Sequence, residues 1–477
     1  MKERIDRRSF LHTAAGVGAG LVFSPIAAGK KRSSKKPDDI NVALLGAGSQ
    51  GHMLMHACRR IPGIRFKALC DIWTAFNQKR VSRFLKYYRH EHNTYTDYRD
   101  MLDKEKDLDA VIIATPDFWH SPHTVACLEA GLHVYCETAM SNTIEGAGKM
   151  VEAARRTGKL LQIGSQRRSN PRYLYCYEKL LKDRKVLGRI AAVSAQWNRV
   201  VGGPMGWPRN ASLDRATLER YGYESMAQFR NWRWYRGLGG GPVVSLGSHQ
   251  IDVINWFLGA KPSFVIATGR IGCLDKKTHQ WYDTMMAVYE YETDQGPVCL
   301  YYQILSHNRN DGCVERFFGE QGTLELSEIS NRAIVFPELM NSDKKVWARC
   351  VKEGHLVGHD EMMKVIDRLT VEQIASKFFV MESLPLPLIN NAQNMAKGII
   401  WHENRRVLNV PVEMNKPFHQ PHLENFFDAI RGKAKLNCPA ELGYETAVAV
   451  LKVNDAVEAG RKLIFKPAEF NPWQNPA

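Results

Sequence analysis

The stretch Gly46-Ala47-Gly48-Ser49-Gln50-Gly51 decides the fold of the first part of this chain. An apolar run, Val42-Ala43-Leu44-Leu45, precedes it, and a helical pattern that ends at Pro62-Gly63 follows it. A second apolar run then leads to an acidic residue, Asp71. Strand, glycine turn, helix, strand and acid stand in the order that a dinucleotide-binding βαβ unit requires.

Each glycine of this stretch has its own part in the prediction. Gly46 permits the tight turn, Gly48 lets the backbone approach a diphosphate, and Gly51 lets the helix pack against the strand. Ser49 and Gln50 open the helix, whose free N–H groups and positive dipole end face the phosphate charge. The turn is therefore expected to bind the diphosphate of a dinucleotide.

The acidic residue after the second strand selects between two cofactors. The carboxylate of Asp71 can accept hydrogen bonds from ribose hydroxyls, and its charge would repel a 2′-phosphate. We therefore expect NAD in preference to NADP.

Strands and helices alternate over residues 40–166, which we assign to a Rossmann dinucleotide-binding domain. Repeated βα units with apolar strands predict a doubly wound parallel sheet that is covered on both faces. Ligands of such sheets bind at the carboxyl ends of the strands. Further candidate cofactor-binding residues at these ends are Thr115, Pro116, Trp119, His120, Glu137 and Gln166.

The pattern changes over residues 167–416, where strand-like runs follow one another with one helix around residues 247–258. This order predicts an α+β domain with a large, open, mainly antiparallel sheet, so the whole chain is of the α/β class. Residues 200–235 and 337–387 read as long irregular segments. Residues 417–477 predict helices that pack across both domains.

The chain begins with a segment that is typical of an export signal. Arg7-Arg8 precedes a mild apolar stretch ending in small residues, which predicts a twin-arginine signal over residues 1–29 and a periplasmic location. The route carries folded proteins, which suits a chain that acquires its cofactor before export. Residues 30–39 predict a basic linker. We expect no stable membrane span after signal cleavage.

Charge and cysteine content exclude some classes of function. The formal net charge is +15, but no basic residues interleave with aromatic ones on one predicted face, so we expect no nucleic-acid partner. The ten cysteines show no metal-like spacing and no C-x-x-C pair, so we expect neither a metal site nor a disulfide framework.

Several motifs together resemble one known family. They lie at residues 46–52, 114–120, 130–137, 164–168, 231–235, 239–242, 247–252 and 437–441. With these motifs the chain resembles the Gfo/Idh/MocA oxidoreductases, which pair a Rossmann domain with a C-terminal α/β domain. The resemblance covers nearly the whole chain after the signal. It implies an exported branch that acts on sugars and related polyols, and a homo-oligomer formed through the open face of the second sheet.

Two positions of the family pattern hold other residues here. Thr138-Ala139 stands where the family normally has Lys-Pro after Glu137. In the family this lysine usually contacts the hydroxyl that is oxidised, and the proline bond is often cis. Because a cis bond is far less favourable without proline, we expect the amine and the turn to be lost together. Ser245 replaces the family's Asp and is expected to be a weaker, uncharged partner of His249 on one helical face.

The resemblance implies that His249 is the catalytic base. An alcohol that gives a hydride to NAD must also lose its proton, and a neutral imidazole with a pKa of about 6.5 can take it. Asp252, one turn later, either orients His249 or caps the helix. Tyr235 is a weaker catalytic candidate.

Other residues are expected to contact substrate. The flat ring of a tryptophan suits the C–H face of a sugar ring, although ordinary core packing explains any one of the tryptophans equally well. The substrate-binding candidates are Arg167, Trp207, Trp232, Arg233 and Trp234.

Three functions follow from these residues. The first is an exported, NAD-dependent oxidoreductase acting on a hydroxyl of a sugar, sugar derivative or cyclitol, with tightly held, recycled NAD. The second is an NAD-assisted enzyme that cleaves glycosides and returns the hydride. The third is a non-catalytic sugar- or NAD-binding protein, which the changes at Thr138 and Ser245 motivate.

Overall fold

Two sheets organise the part of the chain that the structure, a computed structural model, describes: residues 38–329, 332–338, 344–358 and 407–473. The predicted signal over residues 1–29 and the linker up to Pro37 lie outside the described residues. A parallel six-stranded sheet is followed by a mostly antiparallel ten-stranded sheet. The predicted fold class is confirmed.

The first sheet is a doubly wound parallel sheet. Its strands lie in the order β3-β2-β1-β4-β5-β6, and each neighbouring pair is parallel. The central strands are buried along their whole length because helices cover both faces. The strands are β1 (Ile40–Leu45), β2 (Ile64–Cys70), β3 (Asn93–Tyr95), β4 (Ala110–Ile113), β5 (His133–Cys136) and β6 (Leu161–Ile163).

The helices of this half begin and end where local chemistry favours it. In the helix Ile144–Thr157, the Thr143 side chain accepts a hydrogen bond from the backbone N–H of Gly146, and Gly158 ends the helix with a φ of 65°. The helices are α1 (Ser49–Cys58), α2 (Lys79–Tyr87), α3 (Tyr98–Lys104), α4 (Asp117–Glu129), α5 (Ile144–Thr157) and α6 (Pro171–Tyr175).

The second sheet has the order β14-β15-β13-β12-β11-β7-β10-β9-β8-β16. The pair β7–β10 is parallel, and the other described pairs are antiparallel. The strands are β7 (Ile190–Asn198), β8 (Pro262–Arg270), β9 (Thr284–Thr293), β10 (Gly296–Leu305), β11 (Cys313–Gly319), β12 (Gly322–Leu326), β13 (Ala333–Pro337), β14 (Val357–Gly358), β15 (Leu408–Asn409) and β16 (Leu463–Ile464).

The later helices connect the two sheets. Helix α12 contacts α5 beside the first sheet and β8 of the second, while α11 contacts α1. The remaining helices are α7 (Arg215–Arg220), α8 (Met226–Arg230), α9 (Ser248–Leu258), α10 (Lys344–Lys352), α11 (Gln420–Ile430) and α12 (Ala440–Ala459). The two terminal helices therefore hold the carboxyl edge of the first sheet against the second sheet.

The expectation of an irregular segment over residues 200–235 is wrong. Asp214 and Ser225 cap α7 and α8 through their side chains, and apolar residues of the segment pack against the buried Trp73. This local apolar core is what gives the segment its order. In the second segment, α10 lies within residues 337–358, and residues 359–387 lie outside the described residues.

Candidate active site

The glycine turn has the close packing that a dinucleotide cradle needs. Gly46 has a φ of +96°, which suits glycine. A Cβ at Gly51 would lie 1.9 Å from the Gly46 carbonyl oxygen, whereas a Cβ at Gly48 would meet no atom within 4 Å. Gly46 and Gly51 therefore serve the turn and its packing, and Gly48 faces open space.

The N-terminus of α1 is open to an anion. Among the described residues no side chain caps it, and its first turn, beginning at Ser49, contains no acidic residue. The unpaired N–H groups and the positive end of the helix dipole suit a phosphate. This is the arrangement that the diphosphate of NAD requires.

Asp71 lies beside the turn at the end of β2. Its Oδ2 accepts a hydrogen bond from the Ala47 N–H at 2.6 Å, and its Oδ1 accepts one from the Trp73 N–H at 2.7 Å. Burial raises the pKa of this carboxyl to about 6, and the backbone hydrogen bonds oppose the shift. The carboxylate thus braces the glycine turn and keeps lone pairs for ribose hydroxyls. Together with the open face at Gly48, it fits a bound NAD.

His120 lies on the first turn of α4, the helix that follows β4, and backbone groups hold its ring. Its Nε2 lies 2.7 Å from the Thr115 carbonyl oxygen, its Nδ1 lies 2.7 Å from the Ala139 carbonyl oxygen, and 1% of the residue is exposed. Backbone carbonyls therefore hold both ring nitrogens of His120, so neither nitrogen is free to contact a ribose. Pro116 precedes α4 as predicted, and Trp119 stacks on His123 with ring centroids 4.9 Å apart.

The loop after β5 departs from the sequence-based expectation. The Thr138–Ala139 peptide is cis, so the expected loss of the turn is wrong. Ala139 is buried and its carbonyl oxygen contacts His120, so tertiary contacts hold the loop without proline. The amine of the family's lysine is absent, because Thr138 stands at that position and carries no charge.

Glu137 connects this loop to α1 and to the C-terminal helices. Its Oε1 accepts a hydrogen bond from Gln50 Nε2 at 3.1 Å, and the same amide nitrogen lies 3.0 Å from His419 Nε2. Because an amide nitrogen only donates, the His419 Nε2 is the acceptor in this contact. Residues from three distant segments thus form one polar chain above the cofactor cradle.

His249, on the first turn of α9, lies in this same polar region. The charges of Arg167, Glu328 and His419 act on it, and burial followed by the Arg167 charge lowers its pKa to about 3. Its Nδ1 is buried without a hydrogen-bond partner among the described residues. The imidazole is therefore neutral at pH 7, as a base must be, with a pKa well below the ordinary value assumed from sequence.

The expected pairing of Ser245 with His249 is wrong. The Ser245 hydroxyl is buried without a partner in the described part of the chain. A π turn over Val243–Gly247 precedes α9. Its wider winding breaks the i, i+4 relationship on which the expectation relied.

Asp252 does not orient His249. Its two carboxylate oxygens each lie 2.9 Å from Arg168 Nε, and its Oδ1 also accepts a hydrogen bond from the Thr446 hydroxyl at 3.1 Å. The carboxylate is fully buried. Its ion pair joins α9 to the turn Gln166–Ser169, and its hydrogen bond from Thr446 joins α9 to α12, so the prediction of a catalytic Asp252 is not supported by its contacts.

Arg167 is enclosed in a second buried ion-pair network. It is 1% exposed, and its guanidinium contacts Glu315 at 2.5 Å and Glu328 at 3.1 Å. The predicted direct contact with substrate is therefore wrong, because two carboxylates already occupy the guanidinium. Gln166 donates to Glu328 Oε1 at 3.0 Å and belongs to this network.

The tryptophans of the segment over residues 200–235 pack within the protein. Trp232 is buried in the apolar core around Trp73, and Trp207 and Tyr235 pack against that core. Trp234 stacks on His279 with ring centroids 3.7 Å apart. Ordinary packing inside the protein accounts for these aromatic rings, so none of them requires a sugar as its contact.

Arg233 differs from its aromatic neighbours. Its side chain is exposed, and its guanidinium interacts electrostatically with the carboxylates of Asp117 and Glu137. It lies over the Trp232 ring, 4.2 Å from the centroid. Among the sequence-predicted substrate residues near the carboxyl edge of the first sheet, Arg167 is enclosed by carboxylates and Arg233 is exposed.

Sequence reasoning missed Glu328 and His419. Glu328 follows β12, and His419 directly precedes α11. Both stand at the ends of regular elements of the second half, where a polar residue is a useful signal.

The described residues contain neither a metal-binding group of side chains nor a helix that could cross a membrane. No group of three or more histidine, cysteine or acidic residues there could hold a metal ion. No described helix has the length and apolar character needed to cross a membrane. All ten cysteines lie in the described part and are free thiols.

Comparisons with known proteins agree with this arrangement. The family model described as the NAD-binding Rossmann fold of the GFO_IDH_MocA oxidoreductase family matches residues 40–165. The model for the C-terminal alpha/beta domain of the same oxidoreductase family matches residues 214–349. The two ranges together cover more than half of the chain.

Curated relatives match over part of their length. A glycosyl hydrolase family 109 protein of Shewanella baltica is 33% identical over 175 residues, which are 32% of this chain and 38% of that protein. An alpha-N-acetylgalactosaminidase of Shewanella oneidensis is 31% identical over 175 residues, with the same shares. The chain therefore matches less than two fifths of the length of these relatives.

Solved structures share the fold over nearly the whole chain. An aldose-aldose oxidoreductase from Caulobacter crescentus, complexed with glycerol, has a TM-score of 0.61 at 16% identity and covers 90% of this chain and 100% of its own. The WlbA dehydrogenase from Bordetella pertussis, in complex with NADH and UDP-GlcNAcA, has a TM-score of 0.57 at 15% identity and covers 90% of this chain and 99% of its own. Identities this low show the fold, and the family models supply the membership. The chain belongs to the Gfo/Idh/MocA oxidoreductase family.

Proposed function

We propose that the protein binds NAD along the carboxyl edge of the first sheet and acts on a hydroxyl of a sugar, a sugar derivative or a cyclitol. The observation that carries this proposal is the hydrogen-bonded chain from Glu137 through Gln50 to His419. It joins the dinucleotide cradle at α1 to the region of His249. When bound, NAD supplies the acceptor and donor of hydride.

The residues of the chain have separate tasks in this proposal. His249, neutral and with an unpartnered Nδ1, takes the proton of the substrate hydroxyl. His419 receives a hydrogen bond from Gln50 and holds the amide toward Glu137. Arg233, near Glu137, contacts substrate oxygens. The Arg167 network holds Glu328 in place below the site.

The choice of cofactor rests on Asp71. Its carboxylate, braced by the Ala47 N–H, accepts hydrogen bonds from the adenosine ribose and repels a 2′-phosphate. We therefore propose NAD in preference to NADP. An enzyme that works outside the cytoplasm meets little free NAD, so we also propose that the cofactor is held tightly and recycled.

Mass spectrometry of the small molecules released by denaturing the purified protein tests this function. We expect stoichiometric NAD. A protein that neither retains NAD nor binds added NAD would remove the proposal. His249→Asn should retain NAD while lowering turnover of a responsive sugar by about 10²–10⁴-fold, the usual contribution of a positioned base.

A second function is NAD-assisted cleavage of glycosides. The observation that favours it is the set of curated relatives named as glycosyl hydrolase family 109 proteins and as an alpha-N-acetylgalactosaminidase. In such a reaction the hydride taken from the sugar returns to it after the glycosidic bond breaks, so no NAD is consumed overall. Release of nitrophenol from nitrophenyl glycosides, without added NAD, distinguishes it from net oxidation.

Export and self-association complete the proposal. We propose that Arg7-Arg8 directs twin-arginine export to the periplasm, which a reporter fusion with Arg7→Lys and Arg8→Lys tests.

We also propose a homo-oligomer. Ile266, Val288 and Tyr301 form one row across three strands and are 43%, 39% and 41% exposed. Light scattering of Val288→Lys should show a smaller particle than wild type.

A further inference from the structure

Arg199 continues strand β7 toward the active site. Its backbone N–H donates to the Leu305 carbonyl oxygen at 2.8 Å, so the strand pairing extends past Asn198. Trp197, two residues earlier, lies on the same face of the strand. The Trp197 and His249 ring centroids are 5.8 Å apart. Arg199 therefore lies on the face of the second sheet that is turned toward His249 of helix α9.

The Arg199 guanidinium has no counter-ion among the described residues. Its Nε is buried without a hydrogen-bond partner there. Burial, followed by the like charge of Arg233, lowers the pKa of Arg199 to about 10. Arg199 is half-buried, and a partly desolvated charge that is neither paired nor hydrogen-bonded is unfavourable. An anionic partner at this position would reduce that unfavourable free energy.

The buried arginines of the described residues have partners, and those of Arg172 are the carbonyl oxygens of Ser327 and Ile329. Arg167 contacts Glu315 and Glu328, and Arg168 contacts Asp252. The side chain of Arg199 has no such carboxylate in the described residues, although it is held at the same sheet. Arg199, which is half-buried, therefore differs from these arginines in that its side chain has neither a carboxylate nor a carbonyl partner among the described residues.

A second guanidinium reaches the same place from another segment. Arg233 lies in the turn Trp232–Trp234 and acts electrostatically on Arg199. Among the described residues it forms no ion pair, although the carboxylates of Asp117 and Glu137 lie within electrostatic range. Two guanidinium groups are thus brought together beside the cofactor edge, where like charges repel unless an anion lies between them.

We infer that Arg199 and Arg233 bind an anionic group of the substrate, so that the substrate is an acidic sugar that carries a carboxylate or a phosphate. The planar guanidinium fork matches both groups through paired, charge-assisted hydrogen bonds. This inference rests on the proposed function for the presence of a sugar, and it adds the charge of that sugar. The anion fixes the sugar ring, while the hydroxyl to be oxidised faces His249.

Equilibrium binding to the purified full chain tests the inference. The probes are glucuronate, glucose 6-phosphate and neutral glucose, followed by quenching of tryptophan fluorescence. We expect at least one anion to bind about tenfold more tightly than glucose. The tighter of the two anions identifies the group. Arg199→Gln should abolish this preference and Arg199→Lys should keep part of it. Arg189→Gln, an exposed arginine next to β7 that is paired with Glu320, should keep all of it.

Two results would overturn the inference. One is equal affinity for glucose and for both anions, or no binding of either anion in the millimolar range, which needs no variant to interpret. The other is an unchanged preference in a folded Arg199→Gln protein. NAD retention is measured on the same samples. Loss of NAD with the anion preference intact would instead remove the proposed redox function.

Discussion

Gln50 and His419 are 369 positions apart in sequence, and Gln50 Nε2 lies 3.0 Å from His419 Nε2. The same amide nitrogen donates to Glu137 at 3.1 Å. One side chain on the first turn of the cofactor helix thus ties a strand end of the first sheet to the start of α11. The cofactor cradle and the His249 region are consequently coupled through Gln50.

Replacing Gln50 by methionine removes this coupling at nearly constant volume. The buried Glu137 carboxylate then loses its side-chain donor and keeps the weaker contact from the Thr138 N–H at 3.3 Å. We expect the free energy of unfolding to fall by about 1–2 kcal/mol. Urea unfolding measures it. An unchanged midpoint would show that the Gln50 contact contributes nothing to the folded state.

Gly48→Val should prevent NAD binding without unfolding the protein. Gly48 has a φ of −65°, and a Cβ there meets no protein atom within 4 Å. The added side chain therefore fills the space proposed for the diphosphate. Mass spectrometry should find no NAD, and the melting temperature of the NAD-free proteins should agree. Gly206→Val, which also points into open space, is the matched control and should retain NAD.

Gly51→Ala should act through the fold instead. Its Cβ would lie 1.9 Å from the Gly46 carbonyl oxygen, so helix α1 must move away from β1. We expect a loss of about 2–3 kcal/mol in the free energy of unfolding, measured by chemical denaturation of NAD-free protein. A variant with wild-type stability would contradict the close packing of the turn.

Removing the Asp252 charge should destabilise the contact between α9 and the turn Gln166–Ser169. Asp252→Asn leaves the buried Arg168 guanidinium without its counter-charge, and such a change typically costs about 3–5 kcal/mol. Denaturant unfolding tests this value. Lys149→Gln, in an exposed pair with Glu145, is the control and should show no measurable change. If Asp252→Asn lowered turnover at wild-type stability, the catalytic assignment would regain support.

Much of the fold follows from periodicity that the sequence displays. The bounds of helix α12 can be read from local sequence, because Pro439 precedes it and Gly460 closes it with a φ of 60°. The alternating strands β8 to β10 were also recognisable, since one face of each is buried. Local pattern is enough where the burial of one face decides the structure.

The site was less predictable because its contacts are not local. The link from Gln50 to His419 depends on how α11 meets α1, which no spacing reveals. The π turn before α9 changes the side-chain register by an amount that an i, i+4 rule cannot anticipate. Arg167, a strand-end residue by sequence, is enclosed because Glu315 of β11 meets it. Tertiary pairing therefore decides which polar strand-end residues remain open to a ligand.

The titration of His249 gives a prediction with a definite sign. Burial and the Arg167 charge lower its pKa from 6.5 to about 3. Between these values the unfolded chain binds a proton that the folded protein does not. Stability therefore falls as the pH drops below about 6.5, by up to about 1.4 kcal/mol per pH unit from this group. Above pH 7 the contribution is constant, because His249 is neutral in both states.

The difference between wild type and His249→Gln isolates this contribution from that of other groups. Glutamine does not titrate, so the variant should gain stability relative to wild type as the pH falls from about 6 to about 4, and the difference should level off at neutral pH. Denaturant unfolding at several pH values measures it. A difference that is independent of pH would mean that His249 keeps an ordinary pKa in the folded protein. In that case the imidazole would be open to water or paired, rather than enclosed beside Arg167, and a base that titrates near neutrality would become the better description.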